Sequence, residues 1–533
     1  VVARSLTSTI RLLDAVQLFR GDFRLRFQYT VNDTSQFSDG VHDLLRAAGV
    51  DPIIPWSDIH TLTYDLALSA SENIDFDDLI SHTVVLPHGV GFNKYVPTSD
   101  GSGVHLAGLP PEHVLREGRA TVVLSHSSQR SQLSATCPAS EGHTVVTGDV
   151  MLDRLLASRP LRERYRAMLR TNDRLLVMVA STWRPSSVLG HDRSLLRRLL
   201  GELPADEYQV CAALHPNVWA WYGRAQILLW LADELEAGLV LMPPEHGWQS
   251  AMIAADEVVT DHGSLGLFAV ALDRPILLAG DTDEIVPGTP VADLADTAAR
   301  LDPRRGLRQQ LDEARTAHRS GAFESITGRV FAQVGQAPTQ LRDAIYHELS
   351  LAAPTRPPAL LRIADPPDDA RPVSSFVVHS SMAAQDSIVL VRFPAATWLG
   401  ESGESGVNTH IVSEESESNL RIRERASVLT SDADRRKPSE ADNWAGAALD
   451  QYPGARLAAA KIAGGCTVRI RGGCRVTVRA SATDDVALLA SAVYFCLLRG
   501  RGQLSSGDLV VTAGTTITPI TLVVDHPGHE GAA

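Results

Sequence analysis

The chain has 533 residues, 44% hydrophobic and 21% charged. This is the balance of a globular protein, and at ~150 residues per domain about three domains are expected. The 49 basic against 63 acidic residues leave a net charge of −14, which argues against non-specific binding to nucleic acid or anionic lipid. Cys137, Cys211, Cys466, Cys474 and Cys496 never form a CxxC pair, so neither a disulfide framework nor a zinc site is indicated.

No apolar run of ~18 residues and no signal-peptide pattern occurs. The expected location is therefore cytoplasmic, with peripheral contact at the inner face of the membrane as a variant. The opening Val1-Val2-Ala3-Arg4 reads as the end of a first strand, so a few upstream residues are expected to be missing.

In residues 1–150 apolar β-type runs alternate with helical spacing. Strands are predicted at 1–3, 23–31, 66–70, 83–86, 121–125 and 144–146, and helices at 7–19 and 40–48. The alternation resumes after a helix at 151–170, with strands at 174–180, 209–214, 239–242, 257–260 and 275–278. The prediction is α/β: two Rossmann-like, doubly wound domains, 1–150 on the acceptor side and 151–350 on the nucleotide-donor side, with a cleft between them.

Six prolines in 353–372 make 351–372 a linker by composition. Residues 373–533 are expected to form an α+β accessory domain, a surface for a protein partner. Its predicted strands are 374–378, 388–392, 509–511 and 517–524, and its predicted buried helix is 486–498. The Ser-, Glu- and Asp-rich stretch 400–442 is predicted to be a mobile loop. Alternation on both sides of Gly472-Gly473 predicts a two-residue hairpin with Arg471 facing Cys474, which keeps Cys466 and Cys474 apart.

Several motifs fall at strand ends of the two halves, where ligands of such sheets bind. His88-Gly89, with Lys94 nearby, places an imidazole beside a residue that lets a ligand approach the backbone. Asp149 and Asp153 follow Gly148, and their expected roles are an N-cap and a charge complementing the helix dipole. Arg184, in Thr182-Trp183-Arg184, can fork onto phosphate oxygens. His215-Pro216 can donate to a phosphate or cap the next helix. His246 sits on a strand-to-helix loop and is a candidate nucleotide contact. Thr260-Asp261-His262-Gly263-Ser264 opens a helix whose backbone N–H groups favour an anion, with Asp261 as apt to hold the loop as to touch a ligand, the former being the favoured role. Trp219, Trp221, Tyr222 and Trp230 could stack on a base or line an acceptor site, though packing on the sheet is the commoner use of such residues. Walker, GxGxxG, HExxH and GxSxG patterns are absent from the sequence.

In this order the motifs resemble the CDP-glycerol glycerophosphotransferase family, the teichoic-acid polymerase type of GT-B fold, over roughly residues 1–345. The chain resembles a divergent, actinobacterial-type member. The family's HG with Lys, G-x-x-x-x-D, T-W/F-R, HP and T-D-Y-S-S before K/R-P are matched by His88-Gly89 with Lys94, Gly148 with Asp153, Thr182-Trp183-Arg184, His215-Pro216, and Thr260 to Ser264 with Arg274-Pro275.

The resemblance implies attack of an acceptor hydroxyl on a nucleotide-activated polyol, metal-independent and without cofactor. It makes His88 the base, with His215 and Arg184 on the phosphates and Gly263 and Ser264 on the pyrophosphate. The chain departs from the family where His262 and Gly263 replace Tyr and Ser, and where Phe268 replaces an acidic residue. The expected function is thus a GT-B transferase moving a glycerol-phosphate, polyol-phosphate or glycosyl group to a hydroxyl. The alternatives are a nucleotide-sugar 2-epimerase of the same fold and a degenerate GT-B binding protein.

Overall fold

Short β-branched runs, buried on both faces, pair in parallel in both halves, as strands covered by helices on each side must. The computed structural model describes residues 1–97, 104–368, 370–398, 408–433, 437–481 and 483–525. Its first sheet has seven parallel strands in the order Ile53–Ile54, Tyr29–Val31, Val2–Ala3, Ala67–Ser69, Thr83–Val85, Ala120–Leu124, Thr144–Val146. The second has five, in the order Val240–Met242, Tyr208–Leu214, Leu175–Ser181, Glu257–Thr260, Ile276–Leu278. In both, the order reverses beside the strand that comes first in the chain, the point where doubly wound sheets leave a crevice.

The Gly148 and Asp153 motif locks the junction between the halves. Asp149 caps helix Val150–Ser158 by accepting the Leu152 N–H at 2.8 Å. Asp153 does more than complement a dipole. Buried at 4% exposure, it accepts the N–H groups of Gly335 (2.7 Å) and Ala337 (3.0 Å). Gly148 lies so close to this turn that a Cβ would stand 2.5 Å from the Ala332 carbonyl oxygen. Helix Ala337–Glu348 then crosses back, and its Leu341, Ile345 and Tyr346 enter the core formed by Leu12, Phe19 and Leu86 of the first half.

Beyond residue 374 nine strands close a mixed barrel, running in order from Ser375–Ala384 to Asn408–Glu414, which pair with each other. Inside runs helix Val486–Arg499, apolar on every face and buried by the barrel wall. The barrel is riveted to the second half by Arg392, whose guanidinium donates to both oxygens of Asp206 (2.9 and 2.6 Å) and to Asp485 (2.7 Å).

Several expectations change. Strand 23–31 shrinks to Tyr29–Val31, because Gly21 (φ +84°) and an Asp22 that accepts the Arg24 N–H and guanidinium turn the chain and leave Phe23 fully exposed. The helix predicted at 151–170 breaks at Pro160 into Val150–Ser158 and Arg162–Met168. The Pro-rich 351–372 is a docked strap: Ile363 is buried, its N–H donates to Ser158 Oγ (2.9 Å), and its carbonyl accepts from Tyr165 (2.8 Å).

Within 400–442 the described residues form strand Asn408–Glu414, helix Leu420–Arg425, strand Val428–Ser431 and the start of helix Pro438–Gln451. Residues 400–407 and 434–436 lie outside those described. The buried Val412, Val428 and Leu429 anchor a stretch that composition reads as a loop. At the hairpin Cys474 faces Ile470, whose N–H donates to the Cys474 carbonyl (2.9 Å). Arg471 joins the turn, which spans 471–473, and its backbone and guanidinium donate to carbonyls of Leu449, Tyr452, Ala455 and Arg456.

Candidate active site

Parallel register decides which side chains meet. In the first sheet Ser69 pairs with Val85, so residues three beyond each, Glu72 and His88, emerge side by side. Glu72 is 7% exposed, its Oε1 accepts the Gly108 N–H (3.1 Å), and its Oε2 lies 3.8 Å from His88 Nδ1. That separation is longer than a hydrogen bond, and it sets the carboxylate on the Nδ1 side of the ring. Arg11 donates from Nε to the His88 carbonyl (3.3 Å), which fixes the loop.

In the second sheet Ala180 pairs with Thr260 and Ser181 with Leu214, so Thr182, His215 and Asp261 form a row along the strand ends. His215 Nδ1 accepts the Asn217 N–H (3.1 Å) and caps helix Pro216–Tyr222, so its Nε2 is the donor. Burial first, then the nearby Lys94 and His88, pushes its pKa down to about 3, and the ring is neutral near pH 7.

A cavity of about 370 Å³ opens between the two sheets. It gathers His88, Gly89, Lys94, Arg184, His215, Asp261, His262, Gly263 and Ser264. His246 is exposed and lies outside its lining. The carboxylate of Asp261 is fully engaged: Oδ2 accepts from Thr182 N–H and hydroxyl (both 2.8 Å) and from Val188 N–H (3.1 Å), and Oδ1 accepts from Gly263 N–H (3.0 Å). Its role is therefore to hold the loop. It also accepts the Gly263 N–H, the donor that the resemblance assigns to a pyrophosphate. Gly263 is required sterically, since a Cβ would stand 2.5 Å from Thr182 Cγ2.

The cationic end holds Lys94, Arg184 and His262 around one carboxylate, Glu284. Burial lowers the Lys94 pKa, with Arg184 adding to the effect and Asp261 and Glu284 opposing it. Glu284 lies 3.9 Å from Arg184 and 3.8 Å from His262 Nε2. His262 donates from Nδ1 to the Asp281 carbonyl (3.1 Å), so its buried Nε2 is left without a hydrogen-bond partner. Arg184 lies over the Trp183 ring at 4.5 Å and holds φ at +81°, a left-handed backbone costly for a side chain of this size. The lining also includes Trp248 and Phe268, and Phe268 packs between Trp248 (5.7 Å) and Phe331 (5.6 Å).

Glu72, Arg11 and Glu284 were not picked out in the sequence. Equal offsets from paired strands could have found Glu72. Glu284 arrives through a contact between the halves in which the Val286 N–H donates to the Asn93 carbonyl (2.9 Å), and no local pattern signals that. Among the described residues no group of three or more His, Cys, Asp or Glu converges as a metal site.

No protein-family model and no curated protein matches the sequence. Among solved structures, the wall teichoic acid polymerase TagF is similar at 14% identity, covering 66% of this chain and 89% of that one, with a TM-score of 0.44. The S. aureus MnaA co-structure with UDP is 12% identical over 68% of this chain and 98% of that one, TM-score 0.41. The Methanocaldococcus jannaschii UDP-GlcNAc 2-epimerase in complex with UDP-GlcNAc and UDP is 11% identical over 65% and 98%, TM-score 0.37. The strand orders, the facing sheets and the returning helix make this a GT-B-type fold with a C-terminal barrel. No helix of the described residues is long and apolar enough to cross a membrane.

Proposed function

We propose that the chain is a transferase moving a glycerol-phosphate, polyol-phosphate or glycosyl group from a nucleotide-activated donor to an acceptor hydroxyl. The observation that carries the reading is one cavity that holds a carboxylate-flanked imidazole, Glu72 and His88, together with the cations Lys94 and Arg184 and the neutral donor His215 Nε2–H. His88 Nε2 takes the hydroxyl proton and the acceptor oxygen forms its bond to phosphorus or to the anomeric carbon. The bond to the nucleotide's phosphate oxygen breaks, and the cationic end receives the charge that develops there.

Phe268 stands where the resembled family has an acidic residue, so the donor is to be found by a screen. Melting temperatures with CMP, CDP, CDP-glycerol, UDP, UDP-sugars, GDP and ADP identify it, because a ligand of the folded state raises the midpoint. No rise with any of them overturns the reading.

A 2-epimerase is the second reading, favoured by the carboxylates of Glu72 and Glu284 among those in the cavity lining. Solvent deuterium entering C2 of a UDP-sugar with no acceptor present would select it.

A further inference from the structure

Helix Pro216–Tyr222 begins at His215 in the cavity and, at 1.5 Å per residue, ends about 10 Å away with two aromatic side chains in solvent. Trp221 is 55% exposed and Tyr222 46%. After Gly223 turns the chain at φ +75°, helix Arg224–Trp230 brings Trp230, 54% exposed, edge-on to Tyr222 at 4.7 Å. The series continues inward. Trp221 lies 6.0 Å from Phe37 of the first half, and Phe37 meets Trp183 edge-on at 4.7 Å. Trp183 lines the cavity. An aromatic path of Trp221, Phe37 and Trp183 therefore runs from open surface to the cavity, built by both halves of the molecule, and the Tyr222–Trp230 pair follows Trp221 in the chain at its outer end.

Fold stability does not need this arrangement. Trp219, on the same helix, is 6% exposed and performs the packing, whereas Trp221, Tyr222 and Trp230 keep about half their surface in water. Exposed apolar surface gathered in this way marks a binding site.

We propose that the path binds the sugar rings of a saccharide acceptor and leads its terminal hydroxyl to His88. This deepens the transferase reading and rests on it for the reaction, though not for the binding. The chemistry of the surface favours saccharide over lipid. Flat aromatic faces match the apolar C–H faces of pyranose rings, and the exposed Asp33, Gln36 and Asp39 around Phe37 offer hydrogen bonds to ring hydroxyls. A membrane-seeking helix pairs aliphatic residues with a Lys- and Arg-rich face. Here the exposed aliphatic residue is Leu229, at 69%, Arg224 is turned onto the Trp219 ring (6.0 Å), and the net charge of −14 repels anionic headgroups.

The test titrates the full chain with chitohexaose, maltohexaose and mannohexaose, following tryptophan fluorescence and ligand-observed NMR, with phosphatidylglycerol vesicles as the competing ligand. Saturable binding of at least one hexasaccharide is expected, weakened tenfold or more in Trp221→Ala and in Trp230→Ala. Both side chains are exposed, and unchanged melting curves check that the variants fold. Nucleotide-induced melting shifts should be the same in the variants as in the parent chain. The inference is overturned if no hexasaccharide binds, if binding survives both substitutions, or if vesicles capture the chain in a Trp230-dependent way. Saccharide binding lost in the variants supports it even if no nucleotide binds, in which case the transferase reading fails alone.

Discussion

The hydroxyl of Ser264, at the start of helix Ser264–Ala271 in the second half, accepts the backbone N–H of Val90 in the first half at 2.9 Å. The contact needs Gly89, because a Cβ there would stand 2.8 Å from Ser264 Oγ. The turn after strand Glu257–Thr260 is thus latched to the histidine loop of the other half, and the latch ties the position of His88 to that of the second half.

Ser264→Ala should cost about 0.5–1.5 kcal/mol, the usual net value of one such bond, and should loosen the cleft. Gly89→Ala should weaken donor binding by about tenfold or more by prising the loops apart. The double variant should recover part of that loss, since the atom that collides is gone. A double-mutant cycle on donor affinity measures this coupling, and strictly additive losses would show that the latch has no such role.

Glu72 acts through His88. Under the proposed reaction His88→Ala should lower kcat by about 10²–10⁴-fold, the range for losing a general base, with nucleotide affinity nearly unchanged. Loss of both together would make His88 structural. Glu72→Gln keeps an acceptor for the Gly108 N–H but loses the charge, and it should lower kcat by about 10-fold with KM held. A rise in KM alone would place Glu72 in substrate binding instead.

How much of this was legible in the sequence follows from the range of the interactions. Local signals place the core strands of both sheets, because a buried parallel strand is a short apolar run whatever it pairs with. They also bring His88, Arg184, His215 and Ser264 together, since each sits just beyond a strand. Glu284 reaches the cleft and Phe37 reaches Trp183 through contacts with the opposite half, and neither leaves a trace in its own neighbourhood. The barrel strands of 373–533 are partly visible, but closure is not. It depends on pairing Ser387–Pro394 in parallel with Gly507–Ala513, more than a hundred residues later. Asp261 reads in the sequence first as a brace and second as a ligand contact, and its four hydrogen bonds hold the loop.

The link between the barrel and the second half should behave as a buried ion pair. Arg392 is 6% exposed, and Asp485 and Asp206 outweigh the burial that opposes its charge. Asp206→Ala leaves that charge short of a bidentate partner and should cost about 3–5 kcal/mol, read by chemical denaturation. Arg392→Met with Asp206→Leu should cost less than the single change. If Asp206→Ala costs no more than a surface pair, below about 1 kcal/mol, the rivet is not structural.

Glu257 begins strand Glu257–Thr260, and it is 2% exposed. Burial, aided by Asp312 and Asp256, raises its pKa to about 7 despite the Arg315 guanidinium at 2.8 Å. An unfolded glutamate titrates near 4.5, so between those values the folded state binds the proton more readily. By linkage, the stability from this group is present in full below about pH 4.5 and declines as the pH rises towards 7. His215, lowered from 6.5 to about 3, acts in the opposite sense, and its share is lost as the pH falls from 6.5 towards about 3. Glu257→Gln removes the first effect and leaves the second. The variant's melting temperature should therefore hold up better than the parent's between pH 5 and 7.5. Equal slopes for the two proteins would mean that Arg315 keeps Glu257 ionised throughout.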